Sequence, residues 1–275
     1  MTASASLNRR EGVLLATVLL LLLVAVAAPA VPAQALALGA FADQRHWHGV
    51  ANAMDVLSNL PFAAFGLWGL WQLRRFDAAA SATTAAAAEP PGSALDCAWL
   101  FFAGLLVTAI GSAFYHLQPD AMRLAADRAG MTVAFAGLVG LAACERVSQR
   151  AGWVAAWCTL LGGLVAVACA AEADNLLPWG AVQFGGMAIV LALALTPKVP
   201  GAIGLRLGWV IAFYGVAKLL EAGDAWVYEA TGHLVSGHTL KHGVAALAAL
   251  PVLAALQRIG GRGLRHNPGA AAATA

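Results

Sequence analysis

Charged residues are scarce in this sequence. Only 11% of its 275 residues are Asp, Glu, Lys or Arg, against about 25% in an ordinary soluble domain. Sixteen basic and fourteen acidic side chains are too few to cover a soluble globule of this length. Their balance, +2, offers no basic field to a polyanion, so nucleic acid is not an expected partner. Cysteine is nearly absent. The four present, Cys97, Cys144, Cys158 and Cys169, show no CxxC spacing and read as small buried helix residues. Aromatics are only 8%. Low hydrophobicity, the mark of disorder, is lacking too: 61% of the chain is hydrophobic and its mean hydropathy is +0.75. The apolar excess is Ala, Leu and Val, the filler of transmembrane helices. What remains is a polytopic membrane protein.

A helix needs about 20 apolar residues to cross the hydrocarbon core. Eight stretches meet or approach this, at 13–36, 56–73, 98–116, 127–144, 151–170, 178–195, 207–230 and 236–256. The loops test the count. Arg9 and Arg10 precede span one, and Arg74 and Arg75 follow span two. Arg146 and Arg150 separate spans four and five, Lys198 and Arg206 separate six and seven, and Arg258, Arg262 and Arg265 follow span eight. Every second loop is therefore basic, while those between hold Asp43, Asp120, Glu172, Asp174 and Glu229 with few basic residues. Cytoplasmic loops carry the Lys/Arg excess, so both termini are expected in the cytoplasm. Span one has a rival reading as a secretory signal, since Ala33-Gln34-Ala35 resembles a cleavage site. The uncharged run from Val13 to Ala42 is long for one, and favours retention. Residues 77–96 read as a low-complexity cytoplasmic linker, and the tail after Arg265 as a disordered one.

Charge inside a bilayer is expensive, so an ionisable residue within a span is a functional hypothesis. Span three ends GSAFYH, placing Ser112 and His116 on one helix face. Span four opens at Asp127, which a short turn returns to the level of His116. Span eight opens SGHTLKH, where His238 and His242 stand at i and i+4, a spacing that lets two imidazoles share one metal ion. All five fall at the outer ends of their helices. Three histidines with an open position suit a catalytic zinc, beside which a carboxylate can move a proton and a serine can stabilise an oxyanion. His46, His48, His233 and His266 lie in loops or tails and are not expected to ligate. Lys241 projects from another face and is expected to snorkel or to pair with a carboxylate. Two further polar sets stand inside spans: Asp55, Ser58 and Asn59, and Lys218, Glu221 and Asp224 with Tyr228 one turn on. An interhelical network that orders the bundle is the favoured role. The alternative is that some of these groups orient the histidines. Pro61 and Pro251 are expected to kink their spans.

With these residues in view, the sequence resembles the alkaline ceramidase family, within the wider group of seven-helix membrane hydrolases that includes the adiponectin-receptor-like proteins. The elements that carry the resemblance are DVLSNLPF (55–62), GSAFYHL (111–117), DRAGM (127–131), AKLLEAGD (217–224) and SGHTLKH (236–242). It spans roughly 40–256 and is specific as a set, whereas any one piece is weak. It implies an all-α membrane bundle of seven core helices over 40–256, preceded by one extra transmembrane helix within 1–39 and followed by the tail 257–275. It also implies Zn2+ held by His116, His238 and His242, an acid/base at Asp127 and a transition-state or water-positioning role at Ser112. The family cleaves the amide bond of ceramides into a fatty acid and a sphingoid base. Two departures stand out. Asn52 occupies the place of an expected glutamate and few acids surround it, which argues against the calcium site of eukaryotic members. Arg128, Ala129 and Gly130 follow Asp127 where Leu-Pro is common.

The expected protein is thus a zinc-dependent hydrolase that takes a membrane lipid as substrate, its site near the outer face. Zinc chemistry serves ester bonds equally well, so a lipid esterase is a second reading. A receptor or sensor with a structural metal is a third. A transporter using Lys218, Glu221 and Asp224 as a proton relay is a fourth, without the internal repeat many transporters show.

Overall fold

The computed structural model describes residues 6–32, 41–82 and 94–266. The Ala33-Gln34-Ala35 motif, most of the linker and the tail beyond 266 lie outside these. Twelve helices follow in order among the described residues: α1 (Arg9–Ala27), α2 (Ala53–Leu57), α3 (Leu60–Ala82), α4 (Ala94–Leu117), α5 (Ala121–Arg146), α6 (Gln149–Glu172), α7 (Leu177–Gly180), α8 (Gly186–Ala194), α9 (Leu207–Ala222), α10 (Asp224–Ala230), α11 (Gly237–Ala246) and α12 (Ala249–His266). A π-helical turn over Ala181–Gly185 joins α7 to α8. Trp47 and Val50 form an isolated β-bridge, and no strand occurs among the described residues. The protein is an all-α polytopic helical bundle.

The helices begin where short polar side chains satisfy the free amides of a first turn. Asn8 and Glu11 form a reciprocal capping box on α1. Asp120 accepts from Arg123 N at the start of α5, Ser148 from Ala151 N at α6, and Ser236 from Thr239 N at α11. Among the described residues, six segments are long and apolar enough to cross a membrane: Arg9–Ala27, Ala94–Leu117, Ala121–Arg146, Gln149–Glu172, Leu177–Ala194 and Gly237–Ile259. Spans two and seven are helical but fall outside that set. Arg74, Arg75 and Asp77 dilute the apolar character of α3. Predicted span seven is not one helix, because it breaks at Gly223 and leaves α9 with 16 residues.

Other boundaries also move. Helix α1 stops at Ala27, ahead of Pro29, well short of the predicted 36. Pro61 makes no mid-span kink. It is the second residue of α3, where no amide partner is needed, and α2 is a separate short helix before it. Pro251 does interrupt span eight. It cannot donate to the carbonyl four residues back, and the chain leaves α-geometry at Leu247 and Ala248, where Leu250 N–H closes on the Leu247 carbonyl at 3.0 Å. Helix α12 then continues to His266, past the predicted end of the span.

Phe102, Leu141, Leu205, Leu207, Val252 and Leu256 sit in one buried core. Large apolar residues elsewhere face outward, among them Leu19, Leu23, Ile110, Val165, Leu195 and Trp226. An outward apolar surface matches a hydrocarbon surrounding. Cys158, expected to be buried, is on that exposed side, whereas Cys97 and Cys144 are buried.

The two ends of the bundle are chemically distinct. At one end Arg10 donates to the Arg146 and Pro197 carbonyls, and Glu11 takes Arg150 and Ser148 at 2.5 and 2.6 Å. This gathers the start of α1 with the α5–α6 and α8–α9 connections. The far end of α1 meets the α6–α7 connection, where Leu176 N donates to Val31 O at 2.7 Å. Between these two points α1 packs on α7 and on the π-helical turn. The predicted basic loops of spans one, four and six thus meet at one end. The histidines lie at the other.

Candidate metal centre

His116 closes α4, while His238 and His242 occupy the first two turns of α11. Their rings form a nearly equilateral triangle, with centroids 4.9, 5.1 and 5.0 Å apart. One ligand atom from each lies within 4.8 Å of the other two. All three side chains are buried. His116 Nε2 and His238 Nε2 approach to 3.3 Å. Two ligands on a tetrahedral zinc, each bonded at 2.0–2.1 Å, stand about 3.3 Å apart. His116 Nδ1 is buried without a hydrogen-bond partner. The residues fit a metal ion.

One tautomer follows from the hydrogen bonds. Ser58 Oγ lies 2.7 Å from His242 Nδ1 and 2.9 Å from the Asp55 carbonyl oxygen. A carbonyl only accepts, so the serine hydrogen goes to Asp55. Ser58 must then accept from His242 Nδ1–H. That leaves the His242 Nε2 lone pair free for a metal. The Asp55 carboxylate accepts Thr239 Oγ1–H at 2.6 Å, and Asn59 Nδ2 donates to the Asp55 carbonyl at 2.8 Å. Residues 55–59 thus grip α11 from the side.

The second polar set divides. Asp224 Oδ1 accepts the His238 backbone N–H at 2.7 Å, and Oδ2 accepts Ala42 N–H at 2.9 Å. A carboxylate at a helix N-terminus is favourable for the exposed amides there. It also fixes the turn that carries His238. Gly237 makes this approach possible, since a Cβ there would lie 2.2 Å from Leu220 O. Lys218 and Glu221 do a different job. Glu221 bridges Lys218 and Lys241, each at 2.5 Å. Lys241 is paired with a carboxylate, one of its two expected roles. Tyr228 joins neither group; it lies under Arg45 and against His233.

Asp127 comes level with Gly111 on α4 rather than with His116, and its side chain is half-buried there. The cause lies in the backbone: a Cβ on Gly111 would lie 2.6 Å from Ala126 O and 3.2 Å from Asp127 Cα. Helix α5 therefore passes hard against α4 one turn deeper than His116. Gly130, the departure from Leu-Pro, touches the Thr108 backbone in the same seam.

Sequence reasoning missed the roof of the site. The Phe41 ring packs on His116 and His238, each at 4.7 Å between centroids, and is itself buried. Its only sequence signal is an aromatic ahead of the acidic loop. Asn52 also gains a reason. It sits in the left-handed region and its Nδ2 donates to the His116 carbonyl at 2.9 Å, a bond no glutamate could make. Asp43 and Arg45 form a two-pronged pair at 2.8 and 2.6 Å, and Arg45 reaches on to the Leu234 carbonyl. The guanidinium holds the Asp43 carboxyl below its ordinary value. These contacts pin residues 41–52 over the histidines. No family model, curated protein or solved structure matches the chain.

Proposed function

We propose that the protein is a zinc-dependent intramembrane hydrolase that cleaves the amide bond of ceramide-like lipids to a fatty acid and a sphingoid base. The observation that carries this reading is the buried histidine triangle, with Asp127 brought beside the Gly111–Ser112 turn of α4. The five motifs that resemble alkaline ceramidases support the choice of bond.

His116, His238 and His242 would hold the ion. When bound, zinc would polarise the lipid carbonyl and lower the pKa of a water. Asp127 accepts a proton from the attacking water as its oxygen bonds to the carbonyl carbon. It returns that proton to the nitrogen as the C–N bond breaks, so the products are a carboxylic acid and an amine. Ser112 offers its one hydroxyl hydrogen to the developing oxyanion. Phe41 and the loop over it limit water around the reacting carbonyl. The acyl chain and the base extend among the helices in the bilayer. The arginine-rich end of the bundle supports cytoplasmic termini, and on that reading the histidines face the outer side.

The test is zinc content and hydrolysis of a fluorescent ceramide by purified protein, with a matched ester alongside. His238→Ala and His242→Ala are expected to lose both zinc and turnover. Asp127→Asn is expected to keep zinc and lose turnover. Full activity in the histidine variants refutes the metal assignment, and cleavage of the ester alone replaces ceramide with an ester lipid.

A further inference from the structure

A second feature lies at the opposite end of the bundle. Helix α1 leaves a groove of about 440 Å³ against α8, walled by Val13, Leu14 and Leu21 on one side and Ile189 and Leu193 on the other. Three arginines line the same groove: Arg9, Arg10 and Arg146. Arg146 stands 19 positions after Asp127 on α5, about 28 Å along the axis, so this groove is separate from the histidine site.

The charges at its mouth form no ion pair among the described residues, the neighbouring Glu145 acting on Arg146 only through its field. Arg10 donates to the Arg146 and Pro197 carbonyls and Arg146 to the Thr196 carbonyl. Carbonyls satisfy hydrogen bonds but carry no net charge. The adjacent carboxylates are committed elsewhere: Glu11 to Arg150 and Ser148, Glu145 to Lys198 and the Gly204 amide. Among the described residues, no ion pair reaches Arg9, Arg10 or Arg146. Arg146 is only 9% exposed, and its Nε is buried with no hydrogen-bond partner. A buried cation with a spare donor is expensive unless an anion completes it.

We propose that the groove binds one anionic phospholipid, with its phosphate among Arg9, Arg10 and Arg146 and one acyl chain between α1 and α8. The apolar walls match a hydrocarbon chain and the cationic mouth matches a phosphate ester. A soluble anion would use the mouth but not the walls. A neutral lipid would use the walls but not the charges.

The experiment uses full-length protein in nonionic detergent. Native mass spectrometry and thermal unfolding are followed with phosphatidylglycerol, phosphatidylcholine or inorganic phosphate. Phosphatidylglycerol is expected to be retained at least about tenfold better than phosphatidylcholine, and to raise the melting temperature. Arg9→Gln and Arg10→Gln are each expected to weaken it about fivefold, near the value of one arginine at an anionic surface. Ala188→Phe, which places a ring in the groove lining, is expected to weaken both lipids. Circular dichroism establishes that each variant folds. Equal retention of the two lipids overturns the proposal, as does an equal stabilisation by inorganic phosphate. Unchanged binding in folded arginine and Ala188 variants overturns it as well.

Discussion

Replacing Ser58 with Ala tests how the centre is built without touching a ligand. Ser58 Oγ is 2.7 Å from His242 Nδ1 and is held by the Asp55 carbonyl at 2.9 Å. Removing it frees the ring to rotate about χ2 and to exchange tautomers, and it leaves a buried Nδ1–H without an acceptor. Loss of such a partner typically lowers metal affinity 10–100-fold, or about 1.4–2.7 kcal/mol. The half-buried serine fills little volume, so the fold should survive. The assay is competitive zinc titration against a chelator of known affinity at pH 7, on wild type and Ser58→Ala. Melting of the metal-free proteins is measured in parallel. The expected result is affinity weaker by one to two decades, with metal-free melting temperatures within a few degrees. Zinc affinity within twofold of wild type, in folded protein, refutes the argument that Ser58 orients His242.

Other contacts make equally direct tests. Asp224→Ala strands the His238 and Ala42 amides together. At about 1.5–3 kcal/mol for each hydrogen bond to a charged group, thermal unfolding is expected to come markedly earlier and hydrogen exchange at 41–52 to accelerate. Gly237→Val sets side-chain atoms against Leu220 O, 2.2 Å from where the Cβ would lie; zinc content is expected to fall even though all three histidines remain. Phe41→Ala uncovers His116 and His238 and is expected to raise the rate at which a histidine reagent modifies them in metal-free protein. Arg45 holds the Asp43 carboxyl below its ordinary value, which lies near 4. A lowered folded pKa gives stability that is present above about pH 4 and is lost as pH falls through the folded value. Asp43→Asn is therefore expected to flatten the melting-temperature curve below about pH 4 and to leave its slope near neutrality unchanged.

What could be read ahead of the structure follows from the period of each signal. His238 and His242 are one helical turn apart, and Ser112 and His116 repeat that spacing, so a shared face follows from the geometry of a helix alone. Their convergence needed only a consistent span count. Loop charges carried that count, because lipid excludes charge from helices and leaves it in connections. The partners of the histidines were harder. Asp224 grips the His238 backbone through a bond between residues 14 positions apart, across a turn. Ser58 reaches His242 across 184 positions. Nothing local distinguishes either from Glu221, which ties two lysines together instead. Phe41 carries no periodicity at all. Asp127 was misjudged by one turn because the depth of an antiparallel helix depends on how closely two backbones approach. That distance is set by Gly111, which a count of residues in the turn ignores.

The division of labour between the two ends then has a physical cause. Neutral imidazoles can be buried without counter-charge, and the carboxylates around them are already committed, Asp224 to backbone amides, Glu221 to two lysines and Asp43 to Arg45. The three histidines are held in different ways: the His242 ring at its Nδ1, and the backbones that carry His238 and His116 at an amide and a carbonyl. Arginine cannot be neutralised by losing its proton. The opposite end must therefore pair its cations, as Glu11 does for Arg150, or take an anion from outside. Arg9, Arg10 and Arg146 have no such partner among the described residues. A lipid that fills the α1–α8 groove would join the first helix to the bundle by more than its few direct contacts. Removing α1 should consequently abolish preference for anionic lipid while leaving the histidine triangle able to bind zinc. Loss of zinc along with it would show that the two ends are coupled rather than separate.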